Sequence, residues 1–127
     1  MWWWLAGLAL TVFGGAVVYH YWDKIKQWFA NVLRDFAKVI RKIGELRPNA
    51  QYATEVVAIL LESGAVLIEH RSYVEQPNGS YEMTPTKATI QSKDDLPENI
   101  KNKLRRAGNV VRKEVDVERE MEMEVGI

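Results

Sequence analysis

The chain contains no cysteine, which excludes disulfides, thiolate metal sites and thiol nucleophiles. Only two histidines are present, His20 and His70, and neither belongs to a HExxH pattern or a close ligand cluster. Ser63 and Ser72 lack a nucleophile-elbow context, there is no glycine-rich phosphate loop, and Asp94-Asp95 reads as a turn or helix cap. These absences predict a protein that is not an enzyme and holds no cofactor or metal. Net charge is missing too. The 17 basic and 17 acidic residues cancel, so overall charge points to neither nucleic acid nor an acidic partner.

Charge of either sign is also absent from Trp2 to Trp22, WWWLAGLALTVFGGAVVYHYW. As a helix this segment is roughly 30 Å long, the thickness of a bilayer's hydrocarbon core, so residues 1–22 predict a transmembrane anchor. Trp2, Trp3 and Trp4 at one end, with Tyr19, Tyr21 and Trp22 at the other, have the composition of interfacial aromatic belts. A secretory signal is disfavoured because no basic residue precedes the apolar core. The cations that follow, Lys24, Lys26 and Arg34 onward, place the bulk of the chain in the cytoplasm and the N-terminus outside. Gly7, Thr11 and Gly15 recur every four residues, a small-residue face suited to helix association.

Proline and glycine do not interrupt the chain between Gly15 and Gly44, which predicts one rod leaving the bilayer. Over 23–47 the positions Ile25, Phe29, Val32, Phe36, Val39 and Ile43 step by four and three alternately, widened by Trp28, Leu33 and Ile40. Copies of the helix, the chain's own domain or a membrane surface would each cover that stripe. The regular seam beside a glycine face favours self-association.

From 48 to 127 the sequence predicts a small antiparallel domain, β-β-β-α-β. Thr54–Leu61 and Ala65–Gln76 are strand-like runs joined through Glu62-Ser63-Gly64. Pro77-Asn78-Gly79-Ser80 turns the chain into a third strand, Tyr81–Gln91, which Pro85 confines to an edge or interrupts. Asp95-Leu96-Pro97-Glu98 opens a helix carrying Ile100 and Leu104, and Ala107-Gly108-Asn109 closes it. In the last segment Val115, Val117, Met121, Met123 and Val125 alternate with charge, the signature of a one-faced acidic strand. The basic run Lys101, Lys103, Arg105, Arg106, Arg112 and Lys113 reads first as a solvated face. Pairing of Lys101, Arg105 and Arg106 with Glu118, Glu120 and Glu122 of a neighbouring copy is the sharper alternative.

The sequence therefore predicts an α+β protein: a transmembrane helix, a long amphipathic helix and a small sheet domain. It would act as a single-pass, homo-oligomeric membrane scaffold, ring or channel-like assembly. A membrane-disrupting effector or toxin, or a tethered adaptor recruiting a protein partner through a sheet edge, are the alternatives.

Overall fold

The computed structural model describes residues 17–126. In chain order they form β1 (Val17–Tyr19), α1 (Trp22–Leu46), β2 (Tyr52–Leu60), β3 (Val66–Glu75) and β4 (Tyr81–Ile90). A 3-10 turn (Lys93–Asp95), α2 (Glu98–Arg106), β5 (Glu114–Asp116) and α3 (Glu118–Glu124) follow. The strands make one open sheet in the order β1-β4-β3-β2-β5, with β1 parallel to β4 and the other pairs antiparallel.

This arrangement corrects the membrane reading. No described helix is long and apolar enough to cross a membrane. The expected helix over 2–22 fails at its C-terminal end, where Val17, Val18 and Tyr19 pair in register with Ala88, Thr89 and Ile90. Tyr21 is extended and caps α1, so no rod continues through it. The single-pass anchor, its lipid partner, the outside-to-cytoplasm topology and the pore-like membrane scaffold are overturned with it, as are the toxin and tethered-adaptor variants. Trp2, Trp3, Trp4, Gly7, Thr11 and Gly15 lie outside the described residues.

Among the described residues, the helices cover one face of the sheet. Along β2 and β3 the register sets Val56 opposite His70, Ala58 opposite Ile68 and Leu60 opposite Val66, while Ala88 and Ile90 continue the same rows on β4. These side chains share a core with Ile25 and Phe29 of α1, Ile100 and Leu104 of α2, and Met121 of α3. Successive strand residues point to opposite faces, so all three helices take one face. α1 is seated there by Ile25, Phe29, Val32 and Phe36, whose spacing puts them on one helical stripe.

Both hairpins of the meander use the same device. Gly64 donates its backbone N–H to Leu61 O (3.0 Å) and Leu61 N–H bonds Ala65 O (2.8 Å), with Gly64 at φ +89°. Gly79 bonds Gln76 O (2.9 Å) and Gln76 N–H bonds Ser80 O (2.7 Å), with Gly79 at φ +85°. Each is a three-residue loop, a turn closed by a glycine bulge whose left-handed backbone a Cβ would disfavour. Pro85 is accommodated as its chemistry requires: β1 covers only Ala88–Ile90 of β4, leaving Pro85 on a stretch with no outer neighbour among the described residues.

Two elements differ from expectation. α2 begins at Glu98 rather than within Asp95-Leu96-Pro97; Ser92 instead caps the 3-10 turn by accepting from Asp94 N–H at 3.2 Å. The helix ends where Gly108 suggests, with Gly108 N–H on Arg105 O and Asn109 N–H on Leu104 O, both 2.9 Å. The second difference is the acidic tail. Its alternation makes only the three-residue β5, and from Glu118 the chain is helical. Val117, Met121 and Val125 are four apart, so the same letters satisfy a helical stripe, and Glu, Met and Arg are strong helix formers. Folding onto the covered face buries Val117 and Met121, which a longer edge strand would leave to chance.

Candidate functional site

Among the described residues, three places concentrate polar or accessible chemistry. The first lies on the sheet face opposite the helices. Arg71 on β3 sits between Glu55 on β2 and Pro85 on β4, with Glu69 two residues back on the same face. Its guanidinium bonds Glu55 Oε1 (3.2 Å), Glu69 Oε2 (3.0 Å) and both oxygens of Glu114 (2.9 and 2.6 Å). Tyr73 donates its hydroxyl to the same Glu55 oxygen at 2.5 Å. The bonds to Glu114, then to Glu69, hold the Arg71 proton far more tightly than usual. Arg71 in turn draws the Glu114 carboxyl below its ordinary range, and the Glu55 bond raises the Tyr73 hydroxyl. With its donor fork spent on three carboxylates, Arg71 acts as a staple joining β2, β3 and β5.

The second place is His70, wholly buried on the helix-covered face. Its ring meets Phe29 and Phe36 edge-on at centroid distances of 6.2 and 5.8 Å. Burial lowers its pKa to about 4, so the imidazole is neutral at physiological pH. It is sealed inside the core and offers no access to a substrate.

The third is open. The sheet ends before α1 does: the fully buried stripe stops at Phe36, and Val39, Ile40 and Ile43 are half-buried. Between the last turns of α1 and the ends of β2 and β3 lies a groove of about 170 Å³, lined by Ile40, Ile43, Gly44, Pro48, Tyr52 and Val74 among others. Pro48 and Ala50 also border an adjoining hollow of about 350 Å³, whose far wall is Glu75, Gln76, Pro77 and Gly79 and whose near wall includes Arg47. Tyr52, in the lining of the groove, is 54 % exposed.

The residues expected to mediate assembly are divided by this geometry. Ile25, Phe29, Val32 and Phe36 spend their apolar surface inside the chain's own core, whereas Val39 and Ile43 remain accessible. Of the expected belt residues, Tyr19 packs on the core and burial raises its hydroxyl pKa, Tyr21 is exposed, and Trp22 donates its indole N–H to Glu124 at 2.9 Å. Several charges expected to pair between copies pair within the chain: Lys101 with Glu98 (2.9 Å), Lys103 with Glu120 (3.5 Å), and Glu118 with the Thr54 hydroxyl (2.6 Å). Arg105 bonds Asn102, and Arg106 and Glu122 have no ion-pair partner among the described residues.

Sequence reasoning passed over Arg71, Glu55 and Tyr52. The first two were within reach: counting outward from the Gly64 turn brings Glu55 opposite Arg71. Tyr52 carried no such signal, because its importance depends on where α1 comes to rest. Set against known proteins, the chain matches no family model, no curated protein and no solved structure.

Proposed function

We propose that this domain is a non-catalytic binding module, and that it takes a short apolar segment of a partner protein in the groove between the end of α1 and the sheet. The observation that carries this reading is the overrun of α1. An amphipathic helix whose apolar stripe continues past the sheet beneath it leaves Ile40 and Ile43 facing a concavity. Apolar concavities with a few polar groups at the margin are the usual form of a recognition site. The lining supplies hydrocarbon from Ile40, Ile43, Pro48 and Val74, with the Gln51 amide and the Tyr52 hydroxyl as polar handles. Such a surface holds a side chain rather than transforming it.

Panning a random peptide library on the immobilised domain tests the reading directly. Enriched peptides should carry one or two large apolar residues and should lose binding to Ile43→Asp and Tyr52→Ala variants. Ile43 lies outside the buried core, so Ile43→Asp should retain the parent's thermal midpoint. Failure to enrich any sequence, or enriched peptides that bind Ile43→Asp as tightly as the parent, would overturn it.

A further inference from the structure

The far wall of the hollow is a hairpin tip whose sequence, Pro77-Asn78-Gly79-Ser80, has a chemistry that the binding reading does not use. Asn78 is exposed at the tip and is followed by the glycine that forms the bulge. A glycine at this position leaves its backbone nitrogen unshielded by any side chain. Adding a Cβ there would meet nothing within 4 Å, so the space around the Asn78-Gly79 bond is open. The Asn78 carboxamide oxygen accepts two hydrogen bonds from Ser80, one from its backbone N–H at 3.0 Å and one from its hydroxyl at 2.6 Å.

We propose that Asn78 is a self-modification site. The Gly79 nitrogen, having given its proton to solvent base, attacks the Asn78 side-chain carbonyl carbon. The new C–N bond closes a five-membered ring as the carboxamide nitrogen leaves as ammonia. Water then opens the succinimide at either carbonyl to give aspartate or isoaspartate. The net change is one water consumed and one ammonia released, with no oxidant or cofactor. The two Ser80 donors point at the oxygen on which negative charge grows during attack, the placement that stabilises a tetrahedral oxyanion. One contact opposes the step: Gly79 N–H is held by Gln76 O at 2.9 Å and must be released. That release is a local opening of the tip and leaves the strands paired. The product places a new carboxylate beside a hollow lined by Arg47 and Glu75, changing the charge at its rim. The reaction is independent of what the groove binds.

Peptide mapping by mass spectrometry on the full chain, held folded in mildly alkaline buffer, tests this. The peptide containing residue 78 should gain the mass of an amide-to-acid exchange and resolve into aspartate and isoaspartate forms. Asn78→Ser should show no such change, and Ser80→Ala should slow it several-fold. Circular dichroism on each variant confirms the fold. No conversion at residue 78 in the folded chain, over a period in which the urea-unfolded chain converts, would overturn the proposal. An unslowed Ser80→Ala would overturn the role given to the Ser80 donors.

Discussion

His70 stands where a leucine would serve the packing, buried between Phe29 and Phe36, and this makes stability depend on pH. Well above about pH 6.5, the ordinary histidine pKa, it is neutral folded and unfolded, and its titration adds nothing to the pH dependence. Its folded pKa is about 4, so between those values the unfolded chain takes up a proton that the folded chain refuses. Stability should therefore fall by about 3 kcal/mol as pH drops from 6.5 to 4, then level for this group. Urea unfolding at a series of pH values should show that slope in the parent and lose it in His70→Leu. Arg71 makes the opposite kind of contribution. Removing it strands Glu69, 7 % exposed, without its counter-charge, so Arg71→Met should cost about 3 kcal/mol by denaturant titration. Glu114→Gln, at a half-exposed partner, should cost well under that.

Among the elements, α1 and α3 each have letters that admit two readings. The stripe at 25, 29, 32 and 36 was plain, but a stripe names no partner, and a core and an oligomer seam read alike. The seat is the sheet, so Phe29→Ala should cost about 3–5 kcal/mol, an effect independent of protein concentration. Met121→Ala tests the helical tail: loss of a fully buried side chain should cost about 2–5 kcal/mol, whereas Met123→Ala, 62 % exposed, should be near neutral. An alternating strand would have put both on one face and made them equivalent. The two hairpins were legible as hairpins from Gly64 and Asn78-Gly79. Their bulged form was not, because the loop length that selects it depends on where the strands stop pairing. At either glycine, alanine should lower stability by about 1–2 kcal/mol through its left-handed backbone.

Taken as a whole molecule, the domain is a sheet thick at its centre and thin at its edges. β3 is paired along its full length with β4 and from Val66 to Val74 with β2, while β1 and β5 contribute three residues each. Amide hydrogen exchange should be slowest in β3 and the adjoining parts of β2 and β4, and fastest in β1 and β5. The same asymmetry places the groove. Helices and sheet coincide over the core, and where α1 outruns β2 and β3 the apolar surface of its last turns stays open as a groove.

Local signals in the chain are enough for the meander of three strands, the amphipathic helix before it, the short helix closed at Gly108 and the edge position of β4 at Pro85. Each follows from local periodicity or from the backbone limits of glycine and proline. Tertiary structure alone decided that Val17–Tyr19 join the sheet as its parallel edge. It also decided that the helical stripe serves the chain's own core, and that the acidic tail is a helix after Asp116. In each case the letters fit two arrangements, of conformation or of partner, and what separated them was the apolar face waiting on another element distant in sequence.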